Sequence, residues 1–302
     1  MRVLITGGSG LIGRAVARDL RAAGGEVGVL SREPQRALGL PAGARAERWD
    51  GRTAEGWSGL LGRDSALVHL AGEGVAEGRW TEERKRRIRA SRVDSSRAVL
   101  QAIQQAPEPP RVLLQASATG YYGHCGDEVV TEDHPPGEDF LADVCREWEA
   151  STAAVEALGV RRAVLRTGLV LTKEGGALPK LLLPFRFGAG GPMGGGGQWL
   201  PWIHVADEVA AIRFLLEQGD AHGPFNLSAP QPLTNRDFSR LLGRALRRPS
   251  FLPTPAFALR LALGEMADAL LSGQRAVPHA LEALGFTFRY PEAEAALRDL
   301  LA

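Results

Sequence analysis

The chain has 302 residues, 44% of them hydrophobic, and carries 36 lysines and arginines against 35 aspartates and glutamates. That balance argues against a nucleic-acid or membrane-surface binder, and the length allows one large α/β domain or a domain with a smaller appendage. Cys125 and Cys145 make neither a disulfide framework nor a metal motif, and the six histidines lack ligand spacing, so no metal is expected. The elements then alternate along the chain. Strands are predicted at Arg2–Thr6, Glu26–Leu30, Arg45–Trp49, Ala66–Leu70, Val112–Ser117 and Ala163–Arg166, with helices over about 11–23, 80–105 and 139–158. A helix at Asp207–Gln218 leads to a further strand at Pro224–Leu227. Alternating β and α segments imply a doubly wound parallel sheet of the Rossmann kind. Gly188–Gly197 reads as a flexible loop. Helices near Asn235–Leu246, Pro255–Leu271 and Pro278–Leu284, then Phe286–Tyr290 and a last helix from Pro291, form a small, mainly helical C-terminal lobe. Residues 1–170 with about 200–229 should form the sheet domain, and about 171–199 with 230–302 the substrate lobe over the sheet's carboxyl edge.

Because the first strand is expected at Arg2, no signal peptide is anticipated, and no apolar stretch reaches the roughly 18 residues of a membrane helix. Even 256–271 contains Arg260, Glu265 and Asp268. A cytoplasmic protein without a membrane partner is expected.

The opening Val3–Ile5 run breaks into Gly7, Gly8, Ser9, Gly10, Leu11, Ile12 and Gly13, then into an amphipathic helix. Strand, glycine turn and helix in that order suit a dinucleotide pyrophosphate: glycines allow the tight turn and close backbone approach, and the helix N-terminus attracts the anion. Strand two ends in Ser31-Arg32-Glu33. Glu33, 20 residues past Gly13, suits NAD(H), because a carboxylate there bonds both ribose hydroxyls. Arg32 sits nearer the strand end, where it can pair with a 2′-phosphate, and Ser31 can add a hydroxyl donor. NADP(H) is favoured over NAD(H). Asp50 is a candidate for the adenine amino group, and Thr167 and Gly168, after a strand end, for the nicotinamide carboxamide.

Thr6–Gly13 resembles the TGxxGxxG of extended short-chain dehydrogenases/reductases, the sugar-nucleotide epimerase/dehydratase group. His69-Leu70-Ala71-Gly72 and Pro201–Asp207 resemble two further segments of that group, the first flanking adenine and ribose. A nearer resemblance is to an atypical epimerase-family branch with a C-terminal domain of unknown function. It is carried by Arg79-Trp80-Thr81, Ser91–Asp94, Ser117–Gly123, Cys145–Glu149, Arg166–Gly168, Gly223–Pro230 and Gly285–Phe288. The resemblance also implies NADP(H) at the Ser31-Arg32 turn.

Members of the wider group use a Tyr-x-x-x-Lys helix, in which the lysine charge lowers the tyrosine pKa for proton exchange with a substrate hydroxyl. Here Cys125, Gly126 and Glu294 stand four residues after Tyr121, Tyr122 and Tyr290, so the motif is missing in every register. Alignment through Trp148-Glu149 puts Leu141 at the tyrosine, Cys145 at the lysine and Arg92 at an asparagine of the long helix. Replacement proton donors are Ser117, Tyr121 and Tyr122, weighed against packing roles for both tyrosines. Thr119, Glu73, Arg186 and Trp202 are candidate substrate contacts, with a solvated loop carboxylate as the plainer role of Glu73. Cys145 could be a nucleophile or a small buried side chain. Arg92 and Lys85, on one helix face, could hold phosphates or belong to a solvated face.

The leading expectation is an oxidoreductase or epimerase acting on a carbonyl or hydroxyl of a small anionic metabolite, with a nucleotide sugar as one candidate. The alternative is a redox sensor that binds NADP(H) without turning it over, and a third is a module whose cofactor only stabilises the fold. The helix at 80–105 is a candidate homodimer face.

Overall fold

The computed structural model describes residues 1–37 and 39–302. Seven parallel strands form the main sheet. They include β1 (Arg2–Thr6), β2 (Glu26–Ser31), β3 (Arg45–Arg48), β4 (Ser65–His69) and β5 (Val112–Ala118). The strands Arg161–Thr167 and Gly223–Leu227 complete it, in the order Gly223–Leu227, Arg161–Thr167, β5, β4, β1, β2, β3. The chain order reverses between β4 and β1, and such a switch point opens a crevice beyond the strands' carboxyl ends. This is the expected doubly wound α/β fold.

Side chains alternate across the sheet, so each strand feeds two cores. On one face Val3, Ile5, Val29 and Val68 pack with Val16 and Leu20 of α1 (Leu11–Ala22). On the other, Leu4, Leu30, Leu67 and Leu113 meet Trp49, Trp57 and the Val99 and Ile103 side chains of α2 (Glu82–Gln105). Thr81 caps α2, its hydroxyl accepting from the Arg84 N–H.

Two predicted helices are shorter than expected. Instead of running to 158, α3 (Phe140–Ala150) stops where the Ser151 hydroxyl bonds back to the Trp148 carbonyl, and 153–158 continues as a 3-10 turn. Ser and Thr compete with the helix backbone in this way. The 255–271 stretch splits into α7 (Ala256–Leu263) and α8 (Met266–Leu271) at Gly264, whose φ of +61° ends a helix readily.

Unforeseen from the sequence is α4 (Leu178–Arg186), which carries a proline in its first turn and a second, Pro184, inside. It packs Leu182 and Phe185 into a third core with Trp202, with Phe238 and Leu242 of α6 (Asn235–Leu246), and with Leu297 of α10 (Ala293–Leu301). Between them, α5 (Val205–Glu217) ties lobe to sheet: the Asp207 carboxylate accepts from the Arg289 and Tyr290 N–H groups at 2.8 and 2.9 Å. Among the described residues no helix is long and apolar enough to cross a membrane, and no cluster of His, Cys, Asp and Glu could hold a metal ion.

Candidate functional site

A cleft of about 880 Å³ opens at the carboxyl ends of β1, β2 and β4. Its floor is the glycine turn. Gly7 has φ +66°, and a Cβ there would lie 2.7 Å from the Leu70 carbonyl oxygen. A Cβ on Gly13 would run into the Gly7 carbonyl and come within 2.6 Å of Gly8 Cα. No side chain caps α1 at Gly10, so its first-turn N–H groups stay available to an anion beside Ser9 and Gly10 in the cleft wall. Leu11 and Ile12 begin that helix, and Leu11 also touches Gly176 of the loop above, which Glu174 ties to Arg18 at 2.8 Å. A dinucleotide pyrophosphate fits this cradle.

One end of the cleft lies between β2 and β3, lined by Ser31, Arg32, Trp49 and Asp50. Arg32 is exposed and has no side-chain partner among the described residues. Ser31 Oγ accepts from the Glu33 N–H at 3.2 Å. The Asp50 carboxylate takes the N–H groups of Arg52 and Thr53, both at 2.8 Å, and the Thr53 hydroxyl at 2.9 Å. Those bonds hold its pKa below the usual carboxylate range and shape the turn after β3.

Leu70, Ala71 and Gly72 line the opposite wall. Beneath them, His69 Nδ1 meets the Thr6 hydroxyl at 2.7 Å and Nε2 meets the Ser96 hydroxyl at 2.9 Å, joining β1, β4 and α2. Burial lowers the His69 pKa to about 3, so the ring stays neutral near neutral pH. Glu73 is held by Arg84 and lies 3.3 Å from Arg87. Arg92 lies just beyond Gly72 and Ser91, its guanidinium 5.0 Å over the Trp148 ring and donating to the Glu73 and Ile88 carbonyls. Lys85, expected on the same face, is taken up by Glu265 at 2.7 Å and Glu82 at 2.8 Å.

Beyond β4 the strand edge carries a buried polar network. Ser117, Arg166 and Asn226 are register partners on three adjacent strands. Arg166 forms a two-pronged ion pair with Glu149, both bonds at 2.9 Å, and donates at 3.0 Å to the Tyr122 phenol and to the Glu132 carbonyl. Its guanidinium also stacks 3.5 Å from the Tyr121 ring centre. Despite burial, Glu149 keeps the Arg166 pKa above its ordinary value. Ser117 donates to Glu149 at 2.6 Å, and Tyr122 to the Asn226 side-chain oxygen at 2.7 Å.

Several candidate residues lie away from solvent or from the cleft wall. Tyr122 is 1% exposed, and burial pushes its phenol up to about 12, so its proton is committed inside the protein. Thr119 is buried as well. Trp202 is fully buried and donates to the Gln231 carbonyl in the lobe core, away from the cleft wall. Arg186 is exposed at the end of α4 and is not among the residues lining the cleft. Cys145 is buried, and desolvation raises its thiol to about 12, the opposite of an activated nucleophile.

Sequence reasoning assigns no role to Glu149 or Glu208, since the residues that partner them lie 17 to 41 positions away. Thr167 and Gly168 close the Arg161–Thr167 strand, and the Thr167 hydroxyl donates at 3.0 Å to Glu208, whose other oxygen is buried without a partner. Burial pushes the Glu208 carboxyl up to about 8. The folded pKa thus lies above the ordinary value, so stability is full below about pH 4.3 and declines as pH rises toward about 8. Glu208→Gln should flatten that decline in urea titrations at about pH 5 and about pH 9. Parallel pH profiles for the two proteins would contradict a neutral buried carboxyl.

Residues 3–228 match the NAD dependent epimerase/dehydratase family, and residues 254–300 match a domain of unknown function, DUF1731. The epimerase family protein YfhF of Bacillus subtilis is 38% identical, with 100% of this chain and 98% of that protein aligned. The human epimerase family protein SDR39U1 is 37% identical, with all of both chains aligned. A crystal structure of human SDR39U1 (isoform 2) with NADPH superposes with a TM-score of 0.89 at 34% identity, covering 100% of this chain and 99% of that one. A nucleoside-diphosphate sugar epimerase from Corynebacterium glutamicum superposes at 0.80 with 36% identity, and this chain spans 58% of its length.

Proposed function

The chain belongs to the NAD dependent epimerase/dehydratase family, and from that premise we propose an NADP(H)-dependent oxidoreductase or epimerase acting on a carbonyl or hydroxyl of a small anionic metabolite in the cytoplasm. The observation that carries the cofactor choice is Arg32, a guanidinium in the cleft wall just past β2 with no side-chain partner among the described residues. A 2′-phosphate there would give it a charge-assisted, two-pronged bond. The NADPH in the human relative's crystal structure supports the same reading. Arg32→Ser should weaken NADPH binding by about ten- to a hundred-fold, the loss of one charge-assisted contact, with NADH binding unchanged. Equal losses for both dinucleotides in fluorescence titrations would refute the 2′-phosphate role.

When bound, the nicotinamide supplies a hydride acceptor or donor. Of the polar groups at the strand edge, we assign proton exchange to Ser117 or Tyr121. Ser117, buried like Thr119, would exchange its proton through Glu149, to which it donates, whereas Tyr121 is partly exposed against Arg166. Tyr122 is assigned to hold Arg166 and Asn226. Incubation with NADPH deuterated at the transferable position and a small-metabolite extract tests the reaction, with mass spectrometry following the label. Label entering a metabolite supports catalysis and names the substrate.

A second reading is a non-catalytic NADP(H) sensor. It draws support from the same network: Ser117, Tyr122 and Arg166 all direct their hydrogen bonds to acceptors inside the protein. Saturated cofactor with no label transfer would favour it.

A further inference from the structure

We infer that Arg92 is the positioning residue for the nicotinamide half of the cofactor, delivering from α2 the positive charge that the resemblance would place on α3 at Cys145. This rests on the NADP(H) reading above. With the 2′-phosphate end at Arg32 and the pyrophosphate over the glycine turn, the rest of a dinucleotide must continue past Gly72 toward β5. Arg92 stands there, directly behind Gly72 and Ser91 of the cleft wall. It is partly buried, and among the described residues no carboxylate pairs with it. Among those residues only its Nη1 is hydrogen-bonded, to the Glu73 and Ile88 carbonyls and weakly to Ser91 Oγ at 3.5 Å. Nε and Nη2 keep their protons free for an acceptor.

Arg92 is half-buried rather than sealed, and a guanidinium with no carboxylate in contact can take an oxygen acceptor through charge-assisted hydrogen bonds. The other arginines around it are answered: Arg84 by Glu73, Arg89 by Glu147 and Arg166 by Glu149. Below Arg92 the Trp148 indole N–H is also buried without a partner among the described residues. Gly72 fits the same design, since a Cβ there would lie 3.3 Å from Arg92 Cζ and crowd the approach. Ribose hydroxyls or the nicotinamide-side phosphate offer the oxygen acceptors that these donors lack. Trp148 stands three residues after Cys145 on α3, so the guanidinium over its ring lies beside the helix face that carries Cys145.

The test compares NADPH with 2′,5′-ADP, which carries only the adenosine half, on the wild-type chain, Arg92→Met and Arg92→Lys. Arg92→Met should weaken NADPH by about ten-fold or more, about 1.4 kcal/mol, and leave 2′,5′-ADP within about two-fold. Arg92→Lys keeps a cation and should recover part of the loss. Unchanged NADPH affinity overturns the assignment, and so does an equal loss for both ligands, which would mark a purely structural role. If the wild-type chain binds neither ligand, the NADP(H) reading itself falls, and that outcome is distinct from either of the others.

Discussion

Gly13→Val is expected to remove NADPH binding and much of the stability of the sheet domain. A Cβ at position 13 meets only backbone, the Gly7 carbonyl and Gly8 Cα at 2.6 Å, so no side chain can swing aside. To admit it, α1 must lift off β1, which opens the packing of Val16 and Leu20 on Val3 and Val29. Overpacking of that kind costs about 1–3 kcal/mol. The same movement carries the uncapped helix N-terminus away from the pyrophosphate, so binding should fall by at least about a hundred-fold, about 2.7 kcal/mol. Gly24→Ala is the control. That glycine has φ +81° with nothing within 4 Å of an added Cβ, so the substitution costs about 1–2 kcal/mol of strain and leaves the cleft untouched. Thermal unfolding and NADPH titration on both variants decide the matter. A Gly13→Val protein that binds within a few-fold of wild type would show that the turn is not the pyrophosphate cradle.

Arg166→Met should be the most destabilising single change at the strand edge. It leaves the Glu149 carboxylate, 13% exposed, with only Ser117 as a donor, and strips the Tyr122 oxygen and Glu132 carbonyl of their cation. Removing one partner of a buried ion pair typically costs about 3–5 kcal/mol, because the other charge stays buried. The double variant Arg166→Met/Glu149→Leu removes both charges and should recover a substantial part of that loss. Urea unfolding of wild type, Arg166→Met, Glu149→Leu and the double variant measures it. Additive losses in the double variant would mean that the pair is not coupled and that packing alone explains the cost.

The alternation of strands and helices, the glycine turn and the Arg32 position were legible in the chain because each depends on residues close together in sequence. Period-2 and period-3.6 hydrophobic patterns report burial locally, and a glycine turn needs small residues at fixed spacing whatever surrounds it. The missing tyrosine–lysine helix was equally plain, since absence of a spaced pair needs no third dimension. Helix ends at Ser151 and Gly264, and α4 with its internal Pro184, were less readable, because side-chain back-bonding and lobe packing outweigh propensity there.

Tertiary structure alone decided which polar residues speak to one another. Trp202 looks in sequence like a site aromatic and is core, because α4, α6 and α10 close over it. Tyr121 and Tyr122 are neighbours with equal chemistry, yet one ring lies against Arg166 and partly meets solvent while the other is sealed beneath Asn226. Parallel register sets Ser117, Arg166 and Asn226 side by side from positions up to 109 residues apart, and α3 brings Glu149 to them. Charge complementarity of that kind is a property of distances across strands, which the order of residues along one chain does not contain.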